Sequence, residues 1–122
     1  MLEENYQKLA TAKPKLIRVY DYLEQHYTEK IGVQDICQHM YMIRKTLTRF
    51  LKKETGRSFT TLLQQTRIRY AVELLESTTD TISGIGYSVG FESAKSFSKI
   101  FKREMGMTPN EFRIKRLSQS AH

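Results

Sequence analysis

The chain has 122 residues, of which 39% are hydrophobic and 27% are charged, and its formal net charge is +7 at pH 7. This length allows one domain, or two very small units that share a core. No segment approaches the roughly 20 apolar residues of a membrane span, the N-terminus has no signal-peptide core, and the single cysteine excludes an internal disulfide, so we expect a cytoplasmic protein.

The basic residues are concentrated in two segments of the chain. Residues 43–57 contain six basic residues and one acidic residue, and residues 93–122 contain seven basic and two acidic residues. The remainder of the chain is net acidic. This distribution favours a polyanionic partner, although two well-solvated helix faces would produce the same counts.

The first part of the chain predicts a polar tail followed by a helix. Residues 1–13 are polar and are interpreted as a tail or linker. Pro14 suits the first turn of a helix, and apolar residues follow a helical spacing from Leu16 to about Tyr27. A break at residues 29–32 follows, and a first subdomain is predicted over residues 14–57.

Two passages that repeat each other lie on either side of the middle of the chain. They are DICQHMYMIRKTLTRFLKKETGRS at Asp35–Ser58 and GIGYSVGFESAKSFSKIFKREMGMT at Gly84–Thr108. They align at an offset of 49 residues before a turn and of 50 residues after it. Each passage predicts a short helix, a tight turn and a longer helix, which together form a helix-turn-helix unit.

The segment between the repeats predicts one long central helix over residues 58–77. It contains neither Gly nor Pro, and Ser58 is a plausible N-cap. Its apolar residues occupy more than half of the helix circumference. Such a helix is covered on more than one side, as expected if it joins two packed units.

The second repeat carries clear boundary signals and is predicted to belong to a subdomain over residues 78–117. Gly90 supplies a turn position that tolerates positive φ. The predicted helix caps are Thr81, Ser93 and Gly106. Thr108 and Pro109 then begin a last helix that continues to about Leu117, and residues 118–122 are expected to fray.

The longer helix of each repeat has one apolar face and one cationic face. In the first copy, the apolar face predicted for the core is Ile43, Leu47, Phe50 and Leu51. The opposite face carries Lys45, Thr48 and Arg49, which align with Lys95, Ser98 and Lys99 in the second copy. A helix with this face fits a DNA major groove, where Arg or Lys can donate to guanine and small hydroxyls can contact bases or phosphates.

Two stretches resemble the DNA-binding domain of the bacterial AraC/XylS regulators. They are LTRFLKKETGRSFTTLL…RIRYAVELL and ISGIGYSVGFESAKSFSKIFKREMGMTPNEFR, and the resemblance runs from about Leu16 to Arg116. It implies an all-α fold of about seven helices, with two helix-turn-helix subdomains joined by a long central helix.

The resemblance also implies which residues contact DNA. The base-reading residues would be Lys45, Thr48, Arg49, Lys95, Ser98 and Lys99. Independently of the resemblance, cations toward the helix ends are better placed for phosphates, and the residues expected to contact phosphates are Arg44, Lys52, Lys53, Ser93, Lys102, Arg103, Thr108 and Arg113. Phosphate contacts position the protein on the duplex without reading its sequence.

The chain departs from the family pattern at three places. Ile43 stands where many members have a capping Ser, which removes about 1 kcal/mol of capping. Gly84 and Gly86 lie in the short helix of the second copy, and each lowers its helix stability by roughly 0.8–1 kcal/mol. We therefore expect the second unit to be the softer one without DNA. Leu51 replaces the usual Phe, which is a conservative change.

Other classes of protein are less well supported by the residues. Cys37 and His39 form a C-x-H pair without a second pair nearby, so no zinc site is expected, and Cys37 fits a small buried position instead. No phosphate-cradling glycine loop is present. We expect no catalytic residues, no metal and no cofactor. A sequence-neutral architectural DNA binder and a regulatory protein-interaction module remain as alternatives.

The favoured function is sequence-specific binding of double-stranded promoter DNA by a transcription regulator. The central helix is expected to hold the two recognition helices about one duplex turn, roughly 34 Å, apart over a bipartite site. A single chain would bind without dimerising, in the nucleoid, with RNA polymerase as a further partner. Because the sequence shows no dimerisation or effector domain, it is expected to be a stand-alone regulator or the C-terminal part of a larger one.

Overall fold

The computed structural model describes the backbone of residues 2–120 and the side chains of residues 13–119. Residues 2–120 form seven α-helices and no strand, which confirms the predicted all-α class. The helices are α1 (Leu2–His26), α2 (Val33–Met40), α3 (Arg44–Thr55), α4 (Phe59–Ser77), α5 (Ile82–Ser88), α6 (Ala94–Met105) and α7 (Pro109–Ser120). None of these helices combines the length and the apolar character needed to cross a membrane.

The chain divides into two compact units. The first comprises α1, α2, α3 and the beginning of α4, up to Leu63, and the second comprises residues 27–30 and the chain from Gln64 onward. The sequence-based boundaries treat residues 58–77 as a separate linker, whereas the structure shares α4 between the units. The reason is that the later apolar side chains of this helix, Ile68, Ala71 and Leu75, belong to the core of the second unit.

The ends of α1 and α7 differ from the predicted ones. Helix α1 begins at Leu2 and continues through Pro14, so the polar tail predicted up to residue 13 is helical from Leu2. Residues 2–12 are mostly good helix formers, and they sustain the helix although an internal proline costs about 3 kcal/mol. Helix α7 likewise passes Leu117, because no helix-breaking residue follows. Residues 121–122 lie outside the described residues.

The first unit is built around a core from all of its helices. The buried apolar residues are Val19, Leu23, Ile36, Met40, Leu47, Leu51, Phe59, Leu62 and Leu63. Helix α2 begins where the Asp35 carboxylate accepts a hydrogen bond from the Gly32 amide at 2.7 Å. Helix α4 begins at the predicted cap, since the Ser58 hydroxyl accepts from the Thr61 amide at 3.2 Å. On the predicted apolar face of α3, Leu47 and Leu51 are buried and Phe50 is partly buried.

The second unit is organised around a chain of four phenylalanine rings. Phe97 lies 5.3 Å from Phe91 and 5.8 Å from Phe101, and Phe101 lies 5.7 Å from Phe112, measured between ring centroids. Each such pair adds roughly 0.5–1.5 kcal/mol beyond the burial of its area. The predicted N-caps are confirmed: Thr81, Ser93 and Thr108 each accept a hydrogen bond from the amide three residues later.

Gly86 is a position where α5 and α6 approach too closely for a side chain. A Cβ atom added there would lie 2.6 Å from Cδ2 of Phe97. The aligned positions in the first unit hold Cys37 and Leu47, so a larger residue on the short helix accompanies a smaller one on the long helix. Glycine weakens the helix at this position, as the sequence indicates, but it is the residue that leaves room for the Phe97 ring.

Candidate nucleic-acid interface

Helix α3 presents the predicted base-reading residues of the first unit to solvent. Lys45, Thr48 and Arg49 are all exposed, on the side of the helix opposite Leu47 and Leu51. Within residues 13–119, neither Lys45 nor Arg49 has a hydrogen-bonding or ion-pair partner. Their positive charges are therefore available to an external anion or to a base edge.

Helix α6 presents the aligned face of the second unit. Lys95 and Lys99 are exposed, and neither pairs with a residue in the part of the chain whose side chains are described. Ser98 is partly buried, whereas the aligned Thr48 is exposed. Among the six predicted base-reading residues, Ser98 is thus the least accessible.

The predicted phosphate-contacting residues fall into two groups. The exposed cations without a partner among residues 13–119 are Arg44, Lys52, Lys53 and Lys102. The others already have internal roles. The Ser93 hydroxyl caps α6 by accepting from the Ser96 amide at 3.0 Å. The Thr108 hydroxyl caps α7 and also donates to the Glu111 carboxylate at 2.9 Å.

The two remaining arginines of the phosphate set donate to groups of their own unit. Nη2 of Arg103 donates to Oε1 of Gln64 at 2.9 Å and to Oε1 of Glu104 at 3.0 Å. Arg113 donates to the backbone carbonyls of Asp80 and Thr78, at 2.5 and 3.3 Å. Both guanidinium groups therefore hold neighbouring segments in place, and their contacts with phosphate stay predictions.

The turns that precede α3 and α6 both contain a residue with positive φ. In the second unit this residue is the predicted Gly90, at φ +108°. In the first unit it is Tyr41, at φ +54°, whose side chain is 92% exposed. An aromatic residue rarely adopts this conformation, which is unfavourable for any residue with a Cβ. The alignment of Tyr41 with Gly90 at the offset of 49 was the signal that could have identified it.

Arg67 secures the turn of the second unit, although no pattern in the sequence indicates this role. Its Nε donates to the Tyr27 carbonyl at 2.7 Å and its Nη2 donates to the Glu29 carbonyl at 2.8 Å. A Cβ added to Gly90 would lie 2.5 Å from the same Tyr27 carbonyl. Burial lowers the pKa of Arg67, while the nearby Glu92 carboxylate opposes that shift. Arg67 acts on the turn from within the unit.

Two expectations about individual residues in the first unit are wrong. Ile43, predicted on the core face of α3, is 70% exposed, because it is the N-cap and its extended backbone (φ −76°, ψ 155°) departs from the helical spacing. Cys37 is half-buried and lines an open groove with Met42 and Ile43, instead of being fully enclosed.

Two helix-turn-helix units, each with cations on the exposed face of its second helix, define the class of the molecule as a helix-turn-helix DNA-binding domain. A model of the "Helix-turn-helix domain" family matches residues 36–115. The transcriptional activator RhaS of Escherichia fergusonii is 32% identical over 99 residues, which cover 81% of this chain and 36% of RhaS.

Solved structures resemble the chain over most of its length. An AraC-type DNA-binding regulator from Chromobacterium violaceum has a TM-score of 0.80 and 29% identity, covering 88% of this chain and 96% of that one. The DNA-binding domain of AdpA, solved in complex with a target DNA, has a TM-score of 0.80 and 25% identity, covering 85% and 94%. The chain belongs to the AraC/XylS family and forms a DNA-binding domain of that family's transcription regulators. It spans about a third of the length of the curated relatives that it matches.

Proposed function

We propose that each helix-turn-helix unit of this domain reads one element of a bipartite promoter site in double-stranded DNA. The observation that carries the proposal is the repetition of the same exposed face. Lys45 and Arg49 on α3 align with Lys95 and Lys99 on α6, and all four are exposed. The same cationic face therefore occurs in the open on both helices, which supports the same role for each of them.

The residues in the middle of these two faces are proposed to read bases. The residues proposed to read bases are Lys45, Thr48 and Arg49 in the first unit and Lys95, Ser98 and Lys99 in the second. Arginine and lysine donate to O6 and N7 of guanine, whereas hydroxyls contact several bases.

The cations near the ends of the recognition helices are proposed to bind phosphates. Lys52 and Lys53 lie in the last turn of α3, and Lys102 and Arg103 lie in the last turn of α6. Arg44 begins α3, and Arg113 lies on α7. Ser93 and Thr108 would add hydroxyl contacts at the starts of α6 and α7. Contacts of this kind orient a protein on the duplex and supply affinity that depends on salt.

The partners of the intact regulator belong to the same proposal. We propose that this domain binds DNA as a monomer in the cytoplasm, because each unit carries its own recognition helix. RhaS is a transcriptional activator. Contact with RNA polymerase by this chain is proposed by analogy with that role. The domain is proposed to act without an enzymatic activity or a cofactor.

The test is selection of bound duplexes from a random-sequence pool, followed by affinity measurements at two salt concentrations. We expect two short enriched elements, separated by about one helical turn. Enrichment of a single element would contradict the bipartite site. Binding that depends on salt but enriches no sequence would overturn the proposal and place the protein among architectural DNA binders. The lack of any DNA binding would instead favour a protein-interaction module.

A further inference from the structure

Ile43 is an exposed branched side chain at the leading end of the first recognition helix. It is the N-cap of α3, it is 70% exposed, and no side-chain hydrogen bond caps the helix there. The equivalent Ser93 caps α6 by accepting from the Ser96 amide at 3.0 Å. Helix α3 therefore lacks the side-chain cap that α6 has, and the Ile43 side chain exposes apolar surface to water. Neither property benefits the free domain.

The surroundings of Ile43 indicate the chemistry of the group that would cover it. The residues that line one open groove include Cys37, Met42, Ile43 and Arg44. The next residue along α3 is Lys45, which is exposed and has no partner among residues 13–119. An apolar side chain beside two cations suits a partner that carries both methyl groups and negative charge, and DNA has this combination.

Thymine supplies such an apolar group in the major groove. Its C5-methyl group projects there, and apolar side chains recognise it by direct contact. In helix-turn-helix proteins, the N-terminal residues of the recognition helix are the ones that contact base edges. Ile43 lies at this end of α3, two residues before Lys45. We propose that Ile43 selects thymine in the first element of the site by contact with its C5-methyl group, an inference that rests on the proposed function.

The test combines removal of the side chain with removal of the methyl group. On a duplex selected by the wild-type protein, each thymine of the first element is replaced in turn by deoxyuridine, which lacks only the C5-methyl. One of these replacements is expected to weaken wild-type binding about fourfold, the equivalent of one buried methyl group. In Ile43→Ser and Ile43→Ala, the same replacement is expected to leave affinity unchanged.

The two variants control for folding in different ways. Ile43→Ser restores the type of cap that Ser93 provides, so its thermal stability should equal or exceed that of the wild type. Ile43→Ala removes the branched side chain without adding a cap. A loss of methyl discrimination in both variants would therefore come from the side chain and not from a weakened helix.

The outcomes separate this inference from the proposed function. A sequence-specific site in which every deoxyuridine replacement acts equally on the wild type and on Ile43→Ser would overturn the inference and leave the proposed function standing. The inference would also fail if Ile43→Ser bound the selected duplex as tightly as the wild type does, since the Ile43 side chain would then contribute nothing to the affinity. If no sequence is enriched in the selection, the proposed function itself fails.

Discussion

Arg49 and Lys52 lie about one turn apart on the exposed side of α3, and we expect them to contribute to binding in different ways. Arg49→Ala should cost about 1–3 kcal/mol on the selected site and relax the base preference at one position, because a donor to a base edge is lost. Lys52→Ala should weaken all sequences alike. Affinities of both variants for a selected duplex and for a scrambled duplex check this.

The scrambled duplex is the control for these two variants. A base-reading residue changes the ratio of specific to non-specific affinity, whereas a phosphate contact leaves that ratio intact. If Arg49→Ala and Lys52→Ala lowered both affinities by the same factor, Arg49 would not be a base-reading residue.

Adding a methyl group at Gly86 should lower the free energy of unfolding. Gly86→Ala favours the helix by about 1 kcal/mol, but the added Cβ meets the Phe97 ring, and overpacking costs roughly 1–3 kcal/mol. The two effects together give a net loss of up to about 2 kcal/mol in the free energy of unfolding, measured by urea denaturation. Adding Phe97→Leu, which introduces the residue found at the equivalent position 47 of the first unit, should make the double variant more stable than additivity predicts. Equal or greater stability of Gly86→Ala alone would contradict this reason for the glycine.

Tyr41 and Gly90 are a matched pair for testing backbone strain. Tyr41→Gly should raise the free energy of unfolding by up to about 1 kcal/mol, because glycine adopts positive φ without a steric penalty. Gly90→Ala should lower it, since φ is +108° there and a Cβ would meet the Tyr27 carbonyl. Thermal denaturation of both variants checks the pair. If Tyr41→Gly proved destabilising, its side chain would have to make a compensating contact in the free protein.

Local signals predicted some of these residues and could not predict others. Ser58, Thr81 and Ser93 were identified as caps because capping depends on residues three positions apart. Arg67 could not be identified in this way, since its acceptors lie 38 and 40 residues away in sequence. Helical periodicity places Ile43 on the core face of α3, but that periodicity does not hold at the N-cap, where the backbone is not helical.

At the scale of secondary structure, helix type was predictable and helix length was less so. The repeat indicated α2, α3, α5 and α6, and the composition indicated α4. Pro14 predicted a helix start near residue 14, whereas α1 begins at Leu2, because proline is favoured at a helix start but also occurs within helices. The sharing of α4 between the units could not be located, since its apolar arc is continuous in the sequence.

The two short helices should differ in local stability. Helix α5 contains Gly84 and Gly86, whereas residues 33–40 of α2 contain no glycine. Each glycine lowers helix stability by roughly 0.8–1 kcal/mol, so amides of α5 should exchange with solvent faster than those of α2 in the protein without DNA. Hydrogen exchange, corrected for the intrinsic rates of each sequence, measures this. Equal or greater protection of α5 would show that packing against Phe97 outweighs the glycines.

For the whole molecule, the charge distribution predicts a strong dependence of binding on salt. If the six predicted phosphate-binding cations each neutralise one phosphate, the logarithm of the binding constant should fall with the logarithm of salt concentration with a slope of about −5. Lys53→Ala should reduce this slope by about 1, whereas Lys115→Ala, a change at an exposed lysine outside the predicted set, should leave it nearly unchanged. Titrations at several salt concentrations measure the slopes. A slope near zero, or equal effects of the two lysines, would exclude the assigned phosphate contacts.

The two helix-turn-helix units followed from the internal duplication, because a repeated motif constrains both copies together, whereas the seven-helix fold and the DNA-binding function followed from the cationic helix faces and the resemblance to AraC/XylS domains. The contact residues remain predictions, since exposure shows that a side chain can bind and not that it does. Side chains that take part in internal hydrogen bonds, such as Arg103 and Arg113, could not be separated from free cations by sequence, because the partners of a charged group depend on tertiary packing.

The two units differ in how their short and long helices pack, and this difference matters for redesigning the domain. Gly86 packs against Phe97 in the second unit, where the first unit has Cys37 and Leu47 at the aligned positions. The solvent-facing residues of α3 could be transplanted onto α6 alone, because they do not participate in either core. Transplanting the entire helix would place a leucine where Phe97 fills the space above Gly86, and it would leave a void unless the residue at 86 were enlarged as well. New DNA specificities should therefore be grafted as faces and not as whole helices.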